Sequence, residues 1–442
     1  MTEPVYGRLA DPPATFVLVG GRVIDPSNRT DAIRDLAVRD GRIVDDVPEW
    51  SERIDARGLV VAPGLCDLHA HLRQPGDPAA ETIESGSRAA ARGGYTTICA
   101  MPNTDPPIDT AAAVAGPGAD VSCRVRIVGA ATVRRAGQAP AELAAMADAG
   151  AVAFSDDGAA VGGDVAGGIF AGLAKVGVPL IEHAEDPALA SGTVMRDGPA
   201  ATRLGLAGWP ASAEVTIVER DLALAAGTGA RLHFTHLSTA SALEAVRAAR
   251  GRGVAVTCDV TPHHLAMTDE WVAGSRRYAW EAPEPNEARA YDAACRVNPP
   301  LASRDDALAL LEGVADGTID AIATDHAPHA PERKLVPFDE AAPGLIGLET
   351  ALSLGLAAVE AGLLALPALV AAMSTRPAAI IGEQRGLGVG ETADLLVFDP
   401  EARWTVEAGE LASRSANTPL LGMELPGVVR LTVADGRVTY RS

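Results

Sequence analysis

The sequence predicts an α/β fold: a (β/α)8 barrel of the TIM type, with a small β domain formed beside it by the N- and C-terminal segments. Three observations lead there. From residue 64 onward, eight short β-rich runs that close on polar residues alternate with stretches of helical composition, the signature of parallel strands joined by helices. The two ends of the chain share another pattern, short strands broken by Asp-Gly or Gly-Gly turns. Finally, 442 residues, 48% of them hydrophobic, exceed what one small core requires, so a large domain with a smaller companion is expected.

Along the chain, "TFVLVGGRVIDP", "DLAVRDGRIV" and "GLVVAPG" read as strands of the small domain, whose first part is residues 1–62. The barrel follows over 63–385. Its strands are "GLCDLHAH", "TTICAMPN", "VRIVGAAT", "AVAFSDD", "VPLIEH", "RLHFTH", "VAVTCDVTPHH" and "IDAIATDHAPH", with helical stretches such as "ESGSRAAARGG" and "ASALEAVRAARGRG" between them. Eight units over roughly 300 residues fit a barrel whose usual size of about 250 residues grows with loop insertions. Residues 271–294 read as one such insertion after the seventh strand. The apolar stretch 350–373 is interrupted by Glu360 and Pro367 and is rich in alanine and glycine, so a helix packed on the sheet is expected there rather than a membrane span. In 386–442, "ADLLVFDP" and "VVRLTVADGRVTYRS" repeat the opening pattern, down to a second Asp-Gly-Arg turn, and complete the small domain.

The formal charge of −21 opposes binding to nucleic acid or anionic membranes and favours a small-molecule substrate. The first residues carry no basic segment followed by an apolar one, so no secretory signal is read and a cytoplasmic location is expected. Cys66, Cys99, Cys123, Cys258 and Cys295 are far apart, odd in number and free of any CxxC pair. Buried, reduced thiols are expected, not a disulfide framework or a thiolate zinc site.

Function is read from the strand ends. Residues two apart on a strand face the same side, so His69 and His71 point together, a geometry that suits two imidazoles on one metal ion. Asp156 and Asp157 close the fourth strand, His183 the fifth, His236 the sixth, His263 and His264 the seventh, and Asp325 and His326 the eighth, with His329 shortly after. In a barrel those ends share the C-terminal mouth, where such folds place their chemistry. Only His233, of nine histidines, lies inside a strand. Imidazoles and carboxylates without thiolate suit zinc or a similar divalent ion, and a shared carboxylate suits two ions about 3.5 to 4 Å apart. The chemistry such a pair supports is hydrolysis of an amide-like bond, or its reverse.

"DLHAHLRQPG", "MPNTDP", "AFSDDG", "HAED", "FTHLST", "DVTPHHL", "NPPL", "ATDHAPH" and "GLET" occur here in the order of the bacterial type I dihydroorotases. Over nearly its whole length the chain resembles that family of the amidohydrolase superfamily. The resemblance implies a metal-dependent barrel that interconverts N-carbamoyl-L-aspartate and L-dihydroorotate in pyrimidine synthesis. It implies two zinc ions, one on His69, His71 and Asp325 and the other on His183 and His236, bridged by a hydroxide and an aspartate of the fourth strand. Asp157 is taken as that aspartate. The stretch "GAAVGGDVAGG" is slightly shorter than its counterpart in the family, which leaves Asp156 as the alternative. Many relatives bridge through a carboxylated lysine instead; this chain has only Lys175 and Lys334, and neither ends the fourth strand.

By the same resemblance, Arg73 grips the substrate carboxylate, as its planar fork suits, with Asn103 and His329 beside it. His71 also touches substrate, and Asn298 lines the ring. Asp325 is the expected catalytic base and acid, and His263 and His264 support the ligands from behind. The family usually has a Phe-Gly pair at the substrate just before "GLET", and here Pro343 and Gly344 stand there, so proline removes a backbone donor and an aromatic face. Besides the small-molecule substrate, a homo-oligomer and a complex with aspartate transcarbamoylase are the expected partners. Two alternatives are weighed. A hydantoinase, dihydropyrimidinase or allantoinase normally uses the carboxylated lysine and needs no arginine for an acidic substrate; a catalytically silent subunit of aspartate transcarbamoylase would have lost ligands that this chain retains.

Overall fold

A computed structural model describes residues 4–115 and 120–442. The chain opens with β1 (Val5–Tyr6), β2 (Phe16–Asp25), β3 (Thr30–Arg39), β4 (Arg42–Val44), β5 (Glu52–Asp55) and β6 (Val60–Pro63). Then come β7 (Leu65–Ala70), β8 (Tyr95–Ala100), β9 (Arg124–Ala130), β10 (Ala153–Ser155) and β11 (Leu180–Glu182). A short pair, β12 (Met195–Arg196) and β13 (Gly208–Trp209), precedes β14 (Leu232–Phe234), β15 (Val256–Val260) and β16 (Ala321–Ile322). The last strands are β17 (Leu395–Thr405), β18 (Glu424–Ala434) and β19 (Arg437–Arg441).

β7 to β11 and β14 to β16 pair in parallel, in sequence order, and each overlaps one of the eight predicted runs. The ring closes where Ala70 bridges to His326 just beyond β16 and the N–H of His71 donates to the carbonyl of His326 at 2.8 Å. Cys66, Leu68, Cys99, Val128, Ala153, Ile181 and Ala321, from six of these strands, form one buried cluster with Ala378 and Ile380. Side chains from that many strands meet only in the lumen, so the barrel is a packed core whose open end is its C-terminal mouth. Outside, helices pack against the strands. The helix Gly163–Val176 buries Ala166, Ile169, Phe170 and Leu173, at helical spacing, and stops at Gly177, whose φ of 84° only glycine adopts without strain.

The terminal segments share one sheet, in the order β1-β19-β18-β17-β6-β2-β3-β4, with β5 on β2. Its two Asp-Gly turns are hairpin turns with consecutive left-handed residues: Asp40 and Gly41 at φ 51° and 77°, Asp435 and Gly436 at 49° and 75°. They also touch. Ala14 links them, accepting from the N–H of Gly41 at 3.0 Å and donating to the carbonyl of Gly436 at 2.8 Å. A Cβ on Gly436 would stand 2.5 Å from the Cα of Gly41, so no side chain fits there.

One stretch is more broken than its composition predicts. The run 350–373 is not one helix: Ala351–Glu360 ends before Leu366–Val370 begins, with Pro367 in the first turn of the second helix, where its missing N–H costs nothing. A π turn, Ala371–Thr375, follows, and Ser374 donates from it to the carbonyl of Gly64 at the foot of β7. The insertion 271–294, between β15 and β16, is a loop as expected, irregular apart from the 3-10 turn Glu287–Arg289 and the edges of two others, and begins at the buried Trp271. All five cysteines are free and buried. Among the described residues no helix is long and apolar enough to cross a membrane.

Candidate metal centre

β7 arrives at the mouth with one residue to spare. Asp67 pairs with Ile98 and Ala70 with Ala100, so three steps on β7 face two on β8. A bulge re-aims the side chains around it. His69 lies within it, and its Nε2 stands 3.2 Å from Nε2 of His71. Both rings are oriented from behind. His69 Nδ1 pairs with Thr235 Oγ1 at 2.8 Å, and Thr235 donates onward to Asp259 Oδ1 at 3.3 Å. His71 Nδ1 donates to Asn103 Oδ1 at 2.8 Å. With a proton held on Nδ1, each Nε2 faces inward; that of His71 carries a lone pair, and at His69 a metal ion would take the place of the second proton.

His183 and His236 follow β11 and β14, with His183 Nδ1 3.0 Å from His236 Nε2. His236 has a left-handed backbone, φ 41°, fixed by its N–H donating to Asp259 Oδ1 at 2.6 Å. Asp325, at φ 45°, and Arg73, at φ 54°, share that conformation. It is uncommon outside glycine, and its recurrence at one mouth marks positions that the surrounding contacts over-determine.

Asp157 stands at the hub. Its Oδ1 lies 3.3 Å from His69 Nε2, 3.6 Å from His183 Nδ1 and 3.7 Å from His236 Nε2, while its Oδ2 lies 3.5 Å from His71 Nε2. Asp325 Oδ1 completes the group, 3.1 Å from His71 Nε2 and 3.5 Å from His69 Nε2. All six side chains are buried. Asp156 turns away and accepts from the N–H and hydroxyl of Thr132. Neither lysine comes near: Lys175 is exposed, and Lys334 bonds to the carbonyls of Arg296 and Ala342.

The electrostatics ask for a cation. Burial opposes a charge on His69, yet the carboxylates of Asp157 and Asp325 outweigh it and lift that imidazole to about 10. Burial likewise works to raise Asp157 and Asp325, but the imidazoles hold both below the ordinary carboxylate range. Burial keeps His71 and His236 low, so their lone pairs stay free. Four imidazoles and two carboxylates, converging in a buried site without thiolate, fit divalent ions of the zinc type.

The rim holds the remaining predicted residues. Arg73 donates from Nε to the carbonyl of Pro328 at 3.1 Å. Asn103 sits between ligands, accepting from His71 and donating to Asp157 Oδ2 at 3.3 Å. The Asn298 amide lies 3.3 Å from His183 Nε2. His329 donates from Nε2 to the carbonyl of Pro343 at 2.8 Å, and the N–H of Gly344 is committed to the carbonyl of Arg296, also at 2.8 Å. His326 is not brought to the ligands. Its Nε2 meets Glu81 at 3.2 Å and its Nδ1 accepts from the N–H of Gly347. His264 bonds to Thr261 and to the carbonyls of Pro299 and Pro300, while Nε2 of the buried His263 has no partner among the described residues.

Comparison with known proteins bears on this arrangement. Residues 58–242 match the Dihydro-orotase-like family model and residues 212–439 the Amidohydrolase family model. The dihydroorotase of Geobacter metallireducens is 43% identical over 96% of this chain and 99% of its own length. The chain belongs to the dihydroorotase family. A second member, from Anaeromyxobacter dehalogenans, is 44% identical over 95% of this chain and 96% of its own. Among solved structures, L-hydantoinase (dihydropyrimidinase) from Arthrobacter aurescens superposes with a TM-score of 0.81 at 26% identity, covering 96% of this chain and 95% of that one. Dihydropyrimidinase from Brevibacillus agri shares the fold at a TM-score of 0.80 and 21% identity, over 97% and 95%.

Several residues that shape the site escaped the sequence reading. Asp67 accepts from the N–H of His69 and from the N–H and hydroxyl of Thr324, tying β7 to the end of β16. Asp259 holds His233, Thr235 and His236 together. Arg135, from the loop after β9, donates to the carbonyls of Asp156 and Asp157. Asn417 comes from between β17 and β18 and donates to the carbonyls of Ala327 and Gly344. A carboxylate inside an otherwise apolar strand, as in "GLCDL" and "VTCDV", was the available signal for the first two.

Proposed function

We propose that the protein is a dihydroorotase acting in the cytoplasm, interconverting N-carbamoyl-L-aspartate and L-dihydroorotate at two zinc ions. His69, His71 and Asp325 would hold one ion and His183 and His236 the other, with Asp157 between them. The observation that carries the reading is Asp157 at the centre of four imidazoles, with Arg73 at the rim of the same mouth. When bound, such a metal pair supplies an activated water and polarises the carbonyl it faces. Asp325, held off protonation by the neighbouring imidazoles, accepts a proton from the attacking water and returns it to the leaving ring nitrogen. Cyclisation runs the same path backwards, Asp325 taking the proton of the ureido nitrogen. The Arg73 fork receives the carboxylate that distinguishes dihydroorotate from a neutral ring.

A second reading, hydantoinase or dihydropyrimidinase, draws on the likeness to the Arthrobacter aurescens enzyme. It is the weaker one, because no lysine reaches the hub and an arginine stands at the rim. Hydrolysis of dihydroorotate and of uncharged dihydrouracil by the zinc-loaded protein separates the two: turnover of dihydrouracil alone would overturn the proposal. Asp325→Asn is expected to keep its zinc and lose about 10²- to 10⁴-fold in kcat; near-normal turnover would remove Asp325 from the mechanism. A homo-oligomer, and association with aspartate transcarbamoylase, belong to the same proposal. Sedimentation alone and with the purified transcarbamoylase tests both, and a monomer that binds none of it rejects them.

A further inference from the structure

Lys334 stands out in a chain that otherwise relies on arginine. Of 37 basic residues only two are lysines, and the other, Lys175, is exposed on an outer helix. Lys334 is 7% exposed and follows the turn Pro331–Arg333 beyond β16. Its ammonium donates to two main-chain oxygens, Ala342 at 2.8 Å and Arg296 at 3.2 Å. Among the described residues no carboxylate pairs with it. Burial pulls it down to about 8. A fold that needed only stability would not bury an unpaired charge, since desolvation makes that position costly.

What the two carbonyls belong to gives the charge a purpose. Arg296 lies two residues before Asn298, and Ala342 immediately precedes Pro343 and Gly344. The same Arg296 oxygen also accepts from the N–H of Gly344, and the N–H of Ala342 returns to the carbonyl of Arg333. Pro343 in turn receives His329, and Gly344 receives Asn417. One ammonium therefore sits where the segment carrying Asn298 meets the segment carrying Pro343 and Gly344. An ammonium donates in three directions from a point, and here one nitrogen serves carbonyls of two separate segments at once.

We infer that Lys334 is a positioning residue for the substrate: it clasps the Asn298 segment to the Pro343–Gly344 segment and so sets the wall of the mouth against which the ring is held. The inference rests on the dihydroorotase reading for the identity of that ring. It separates two jobs. The candidate metal ligands stand at the ends of β7, β10, β11, β14 and β16, and Lys334 bonds to none of those six side chains.

The test uses Lys334→Met and, as a neutral donor of similar reach, Lys334→Gln, each loaded with zinc and compared with the natural protein. For Lys334→Met the expected result is a KM for dihydroorotate raised about tenfold, with kcat within about threefold and zinc content unchanged, the pattern of lost ground-state positioning. Lys334→Gln recovers part of the KM. Hydrogen exchange of 296–300 and 341–346 speeds up in Lys334→Met while that of 153–157 does not. An unchanged KM, or a kcat that falls in step with zinc content, would overturn the inference. Should the natural protein fail to turn over dihydroorotate, the functional reading falls, and the exchange comparison still decides whether the clasp exists.

Discussion

On one side of the mouth, His69, His71 and His236 are gripped by side chains on or just beyond the strands: Thr235, Asn103 and the buried carboxylates Asp67 and Asp259 reach their rings or their backbone, while His183 meets His236 and Asn298. On the other side, Asn298, His329, Pro343 and Gly344 are tied largely through main-chain oxygens, with Lys334 and Asn417 as the cross-links. Metal ligands need fixed directions, and short strands with charged hydrogen bonds behind them supply those directions. Loops bonded through carbonyls keep their shape while side chains vary, and Pro343, which offers only its carbonyl to the network, fits such a rim. The two sides should therefore fail differently when perturbed.

The largest effect is expected at the hub. Asp157→Ala removes the carboxylate that faces four imidazoles, so zinc should fall below two per chain and turnover should drop on the order of 10³-fold. Metal analysis beside steady-state rates checks this. Full zinc with normal turnover would show that Asp157 is not what joins the two sites. On the rim, Lys334 offers a pH signature. Its folded value of about 8 lies below the ordinary 10.5, so between those values the unfolded chain holds a proton that the folded chain releases. Stability from this residue therefore rises with pH through that window, by at most about 3 kcal/mol. Urea unfolding of the natural protein and of Lys334→Met from pH 7.5 to 10 should show the difference moving in favour of the natural protein; a flat difference would contradict the buried ammonium. A smaller effect is expected behind the ligands. Thr235→Val removes the partner of His69 Nδ1 and should weaken zinc about tenfold in chelator competition, without altering substrate preference.

The same division explains what could be read in advance. The eight strands, the shared terminal sheet and the gathering of His69, His71, Asp157, His183, His236 and Asp325 at one mouth follow from period, turn chemistry and the parallel barrel, all written in local sequence. The bulge between Asp67 and Ala70 does not, because it arises from pairing with β8. Nor do the left-handed backbones of Arg73, His236 and Asp325, which distant partners such as Asp259 impose. Asn103 and His329, expected to face substrate, are bonded to Asp157, His71 and Pro343, and only the assembled mouth shows those partners. Asn417 was out of reach for the same reason: nothing in "ASRSANTPL" announces that it returns across the chain to brace the rim.

The separation of the two sides is tested most directly by Arg73→Met. The measurement is the ratio of kcat/KM for dihydroorotate over dihydrouracil, taken at verified zinc content. Loss of a charged hydrogen-bond partner predicts that dihydroorotate loses about 10- to 100-fold while dihydrouracil and zinc stay as they were. If the variant loses zinc, or if both substrates decline together, Arg73 belongs to the metal side and the division of the mouth is wrong.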